Sequence, residues 1–159
     1  MPSLENLLEP REEMDFFKAR VVYGAEGVEK VEYAPYSMRE IHSLKIVTAD
    51  SIDYSFKSLD RTRLNELLAQ KGSCDDIIIV KNGLVTDTSF TNLAILSGNR
   101  WLTPRHPLLA GTMRAFLLDK GIISEADITL HDLKNAQAVS LFNAMIEFGE
   151  SVVDVKDIE

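Results

Sequence analysis

The sequence predicts an α+β fold, a mixed and largely antiparallel sheet with a few helices. Three observations carry this expectation. Short β-branched or alternating runs recur along the chain, and several are joined by glycine-bearing turns, notably Asn82-Gly83 and Ser97-Gly98-Asn99. Only two stretches show the spacing of a helix, Asp60–Gln70 and Gly111–Lys120. Strands therefore outnumber helices without the regular alternation of a parallel α/β sheet. A chain of 159 residues with 45% hydrophobic residues is also large enough to bury a real core.

Residues 1–17 are charged and irregular, and Pro2 and Pro10 oppose a long opening helix. Lys18–Tyr23 and Glu29–Tyr36 read as a hairpin closed by Gly24-Ala25-Glu26-Gly27, with Pro35 at its end, where a missing N–H matters little. The polar segment Tyr36–Ile41 is a junction, dividing the chain into 1–41 and 42–159. Ser43–Thr48 is a strand. In Asp60–Gln70 the apolar positions Leu64, Leu67 and Leu68 give helical spacing, and Gly72 is a stop signal. Ile77-Ile78-Ile79-Val80 is too short for a helix and is a buried strand. Asn82-Gly83 turns it into Leu84–Thr86. Asn92–Leu96 and Arg100–Thr103 form a second hairpin, Gly111–Lys120 a helix ended by Gly121, and Ala136–Phe142 and Ser151–Val155 further strands.

Composition narrows the chemistry. The 17 Lys+Arg against 25 Asp+Glu leave a net charge of −8, with no basic cluster interleaved with aromatics, so no nucleic-acid partner is expected. No apolar run reaches the roughly 18 residues of a membrane span, and no signal peptide is expected from the first residues. One cysteine, Cys74, excludes an internal disulfide and points to a cytoplasmic protein; in its polar turn beside Asp75 and Asp76 it reads as an inert thiol. His42, His106 and His131 lack any metal-ligand spacing, so no metal is expected. Nucleophile-elbow, Walker and dinucleotide glycine motifs are all missing.

Three segments remain, each with an ordinary reading beside a chemical one. Lys57, between Phe56 and a helix start, is either a surface lysine or a partly desolvated amine able to act as nucleophile or base. Gly83–Asn92 is either a solvated turn or a strand end presenting Asp87 among hydroxyls. Gly111-Thr112 opens either a plain helix or one whose free N–H groups hold a phosphate.

Taken together, Phe56-Lys57-Ser58-Leu59-Asp60, Gly83…Asp87…Asn92, Thr103-Pro104, Gly111-Thr112-Met113-Arg114 and Leu141-Phe142-Asn143-Ala144-Met145 resemble the class IV aminotransferases. These fold-type-IV pyridoxal-phosphate (PLP) enzymes include branched-chain and D-amino-acid aminotransferases and aminodeoxychorismate lyase. The resemblance runs from about Leu44 to Ile146. It implies a pseudo-barrel sheet with flanking helices, and Lys57 as the Schiff-base lysine that later moves the substrate proton. Asp87 stands where the family has a glutamate paired with the pyridinium nitrogen, one methylene longer. Gly111, Thr112 and Met113 match one phosphate-holding segment, and Asn143 and Ala144 a second. Arg61 falls near the cofactor, and Arg114 completes its motif.

The resemblance further implies an amino acid or amino-chorismate-like substrate and a homodimer. It implies a PLP-dependent aminotransferase, with an aminodeoxychorismate-lyase-like enzyme as a close variant and a self-associating, non-catalytic remnant as the alternative. Residues 1–41 would correspond to the closing hairpin of the family's small domain, and 42–159 to its large domain. Such an abbreviated cover predicts a wet site and exposed apolar surface.

Overall fold

The computed structural model describes residues 17–159, so the charged opening segment lies outside the described residues. The chain divides into two units between Arg39 and Glu40. Up to that break the described residues form one hairpin. Strand β1 (Phe17–Gly24) pairs antiparallel with β2 (Gly27–Pro35), and Phe17 packs edge-on against Tyr33. The strands close on Ala25-Glu26, with Gly24 opposite Gly27, a tighter turn than the four-residue loop expected from sequence.

The second unit is built on two sheets. The first has the order β3-β4-β5, from β3 (Leu44–Thr48), β4 (Asp76–Lys81) and β5 (Leu84–Thr88). β3 and β4 are parallel, and helix α1 (Thr62–Leu68) with the 3₁₀ turn Ala69–Lys71 lies in the crossover between them. β4 and β5 are antiparallel around Asn82-Gly83, whose φ values of 51° and 79° are the left-handed pair that a two-residue hairpin turn requires. The second sheet has the order β10-β9-β6-β7-β8. Its strands are β6 (Asn92–Ser97), β7 (Arg100–Pro104), β8 (Ile123–Ala126), β9 (Ala138–Asn143) and β10 (Ile146–Asp154). Helix α2 (Thr112–Asp119) bridges the parallel pair β7–β8, and the short helix α3 (Leu130–Lys134) precedes β9.

The two-residue strand period sorts the core into layers. Ile78 and Val80 of β4 meet Leu93 and Ile95 of β6 and Val139 and Leu141 of β9, so the sheets bury their inner faces against each other. On the outer side of β4, Ile77 and Ile79 pack on Leu64 and Leu67 of α1. On the outer side of the larger sheet, Ala94 and Phe142 pack on Leu117 of α2 and on Ile123. β4 is therefore buried on both faces, which is why its sequence is a continuous apolar run. Burying Ile77, Ile78 and Ile79 fully stabilises the fold by roughly 1.5–3 kcal/mol per side chain. No helix of the described residues is long and apolar enough to cross a membrane.

Three elements depart from the sequence expectation. β8 and α3 had no counterpart in it, and β10 begins at Ile146 rather than Ser151, its pairing with β9 interrupted by a register shift. Cys74, expected in a polar turn, has its thiol buried in the structure.

Candidate functional site

The turn joining β5 to β6, Ser89-Phe90-Thr91, is where the candidate residues converge. It is built by the hydroxyls that the sequence placed there. The Thr88 hydroxyl accepts the N–H groups of Phe90 and Thr91 at 3.3 and 3.0 Å and pairs with the Thr91 hydroxyl at 2.7 Å. The Thr88 N–H bonds the Thr91 carbonyl at 3.0 Å. These groups satisfy the turn itself, so they are scaffold and not reacting groups.

Asp87, next to this turn on β5, is buried. Its Oδ1 accepts Asn92 Nδ2 at 3.0 Å, and its Oδ2 accepts the Leu109 N–H at 2.9 Å. Burial pushes the carboxyl up to about 6, against the opposing pull of Asn92, the Leu108 and Leu109 N–H groups and the Arg114 charge. A carboxylate with such a pKa is still ionised at neutral pH, yet poorly hydrated and open to a cationic partner.

Asn92 is absent from the sequence-derived set although it ends the motif that contains Asp87. Its second amide N–H bonds the Leu109 carbonyl at 2.8 Å. Gly111 lies against this same amide, and a Cβ added at Gly111 would overlap Asn92 Oδ1. That close approach requires glycine; its φ of −71° is open to any residue. Gly111 starts α2 without a side-chain cap, and the Ala115 N–H reaches back to the Gly111 carbonyl at 3.0 Å. The N–H groups of the first turn, those of Thr112 and Met113 among them, are thus left to outside acceptors by helix geometry. Thr112 is exposed, and Met113 packs partly on the outer core.

Asn143 reaches the same turn from the end of β9, its Nδ2 donating to the Phe90 carbonyl at 3.3 Å. Its Oδ1 accepts the N–H groups of Met145 and Ile146 at 2.7 and 3.1 Å, so this side chain shapes the turn around exposed Ala144. Arg61, at the start of α1, donates from Nη2 to the Ser89 carbonyl at 2.7 Å and lies beside the Tyr54 ring. The arginine therefore ties the loop before α1 to the β5–β6 turn. Arg114 is buried and donates from Nη2 to the Pro104 carbonyl at 2.8 Å and to Glu125 Oε1 at 2.7 Å. It joins α2 to β7 and β8.

Asp87 and Gly111 are thus brought together through Asn92, and Asn143 reaches the adjoining turn, while Lys57 stands apart from these contacts. Lys57 is exposed, between Phe56 at 85% and Leu59 at 64% exposure. Two shallow clefts flank its loop, and neither is lined by Lys57 or Asp87. Of the two readings the sequence left open for Lys57, the described residues give the exposed one. Phe56 and Leu59 do supply the exposed apolar surface that was expected.

The residues around the turn fit PLP. A buried carboxylate suits a protonated ring nitrogen, and an uncapped helix start without a side chain at its first position suits a phosphate. Among the described residues, no three His, Cys, Asp or Glu side chains cluster as metal ligands.

Comparison with known proteins gives the same direction. The family model for amino-transferase class IV matches residues 25–150. A crystal structure of a proposed 4-amino-4-deoxychorismate lyase from Haemophilus somnus 129pt is 41% identical, with a TM-score of 0.77 over 81% of this chain and 66% of that one. The aminodeoxychorismate lyase of Saccharomyces cerevisiae is 30% identical over 106 residues, 62% of this chain and 28% of the yeast protein. A hypothetical aminotransferase from Mycobacterium tuberculosis, solved in a PLP-bound form, shares the fold at 20% identity, with a TM-score of 0.66 over 81% of this chain and 54% of that one. The chain thus spans about two thirds of the Haemophilus somnus protein and under a third of the yeast enzyme.

Proposed function

This chain belongs to the class IV aminotransferase family, and on that premise we propose that it forms the PLP-binding part of an enzyme acting on an amino acid or amino-substituted acid. The observation that carries the reading is the buried Asp87 carboxylate held through Asn92 beside the uncapped start of α2. When bound, the cofactor supplies an electron sink for the electrons left at the substrate Cα.

The chain's own groups divide the remaining work. Asp87, ionised above about 6, holds a proton on the ring nitrogen at neutral pH. The N–H groups that open α2 at Gly111, Thr112 and Met113 take the phosphate. Because the Asn143 side chain is committed to Phe90, Met145 and Ile146, its part is to hold the turn that presents Ala144. Lys57 carries the cofactor and moves the proton at the substrate Cα. That work needs an unprotonated amine, so the exposed Lys57 must be covered by ligand or by protein in the working enzyme.

Of the two reactions, release of pyruvate from 4-amino-4-deoxychorismate has the more specific support. The relatives at 41% and 30% identity carry lyase names, whereas the aminotransferase at 20% speaks for the fold alone. Transamination is supported by the family-level match.

Mixing the protein with PLP should give a yellow, borohydride-reducible chromophore that Lys57→Ala abolishes. No chromophore at saturating PLP sinks the reading. Pyruvate formation from 4-amino-4-deoxychorismate, against amino transfer to a 2-oxo acid, separates the two reactions.

A further inference from the structure

We propose that Asn92 is a positioning residue whose single amide fixes the aim of Asp87 and the start of helix α2 as one unit. The role toward the cofactor rests on the PLP reading above, whereas the clamp itself stands on the geometry.

Three groups close a ring. Asn92 Nδ2 gives one N–H to Asp87 Oδ1 and the other to the Leu109 carbonyl, at 3.0 and 2.8 Å, and the Leu109 N–H returns to Asp87 Oδ2 at 2.9 Å. An amide nitrogen has two N–H groups, so its donor capacity is filled. Asn92 is buried at the first position of β6, in register with Phe142 of β9, and so it is anchored in the larger sheet. Asp87 belongs to the smaller sheet and Leu109 to the loop before α2. The remaining corner of the amide, Oδ1, fills the space that a side chain at position 111 would need. One amide therefore references the end of β5, the approach loop and the N-cap residue of α2 to a single point. These carry the two ends of the proposed cofactor site, the carboxylate and the N–H groups for phosphate.

No common substitute reproduces this set. The change Asn92→Asp would face Asp87 with a second carboxylate that donates nothing. The change Asn92→Ala would leave the buried Asp87 Oδ1 and the Leu109 carbonyl short of a partner each. The other groups acting on Asp87 are the Leu108 and Leu109 N–H groups and the Arg114 guanidinium, which remain in the variants.

The test uses Asn92→Ala and Asn92→Ser, with Gly111→Ala as a third variant that crowds the amide oxygen and leaves every donor in place. On the whole chain without cofactor, carbon-detected NMR follows the titration of the Asp87 carboxyl, and hydrogen exchange follows the Leu109 N–H. The Asn92 variants should raise the Asp87 midpoint above its starting value, and all three should speed Leu109 exchange about tenfold or more, the loss expected for a hydrogen bond to a charged group. PLP and inorganic phosphate titrations should show affinity lowered by a similar factor. If the Asn92 variants fail to fold, Gly111→Ala decides on Leu109 exchange and on PLP and phosphate affinity, and wild-type exchange in it overturns the clamp. An unmoved Asp87 midpoint with unmoved Leu109 exchange overturns the clamp. A moved midpoint with wild-type PLP and phosphate affinity overturns its role toward the cofactor. If the wild-type chain takes up no PLP, the functional reading falls while the cofactor-free titration still decides the clamp.

Discussion

Raising the pH from about 4 to about 7 should remove about 2.5 kcal/mol of folding free energy through Asp87 alone. Its carboxyl moves from 3.8 to about 6 on folding, chiefly because burial penalises the anion. At roughly 1.4 kcal/mol for each tenfold change in proton affinity, the full difference is about 3 kcal/mol, of which about 2.5 kcal/mol is lost between these two pH values. The sign follows from the protons bound. Between the two values the folded chain keeps the Asp87 proton and the unfolded chain has lost it, so stability falls as pH rises and levels off above about 6. Carboxylates held below their ordinary range, such as Asp75 and Asp132, act in the opposite direction. The measurement is therefore a difference: urea unfolding of wild type and of Asp87→Asn across this range, subtracted at each pH. The wild-type chain should lose about 2.5 kcal/mol relative to the variant. A flat difference, or one that rises with pH, would refute burial as the dominant influence on Asp87.

Asp75 should show the reverse sign: its carboxylate accepts the N–H groups of His42 and Ser43 at 2.8 and 3.0 Å, the His42 bond being the chief cause of its lowered pKa. Asp75→Ala should cost about 1–3 kcal/mol near neutral pH, and the cost should fade as acid protonates the wild-type group, read by denaturant melts at both pH values. Thr129→Ala removes the hydroxyl that accepts the Asp132 N–H at 3.2 Å in the capping box of α3, and should lower stability by about 1 kcal/mol in a thermal melt. A homodimer is expected, so light scattering at micromolar concentration should give twice the chain mass; a monomer mass would contradict it.

Where local chemistry sufficed, the sequence was readable. The Asn82-Gly83 turn needs two positive φ values and advertises them, and the run Ile77–Val80 has no other stable use than a strand buried on both faces. β8 was invisible for a physical reason. In Ile-Ser-Glu-Ala only Ile123 is buried, so no alternation marks it, and it exists because the parallel edge of β7 lies beside it once α2 has packed. Helix α3 has five residues, too few to display a period, though its Thr129–Asp132 capping box was in the sequence to be seen. In the site, the motif placed Asp87, but the use of Asn92 depends on Leu109 and Gly111 coming back to it. That return is set by β7 and the loop after it, which no pattern of apolar residues encodes. The hydroxyls of Thr88 and Thr91, which the sequence left open between a turn and a site, serve the turn.

The aspartate at position 87 is best understood through the ring that holds it. A glutamate would carry its carboxylate one methylene beyond the Asn92 amide and the Leu109 N–H, both of which meet the aspartate at ordinary hydrogen-bond length. The surroundings are thus built to the shorter acid. A carboxylate has about four acceptor positions and the N–H groups of Asn92, Leu108 and Leu109 take three, so a cationic group can still pair with Asp87 while the ring stays closed. Such a partner offsets part of the burial penalty that raises the carboxyl to about 6. It follows that proton affinity, stability and ligand binding are linked at this one residue. A ligand that brings positive charge to Asp87 should lower its pKa and flatten the stability curve above about pH 4, whereas a neutral ligand of the same shape should leave the curve in place.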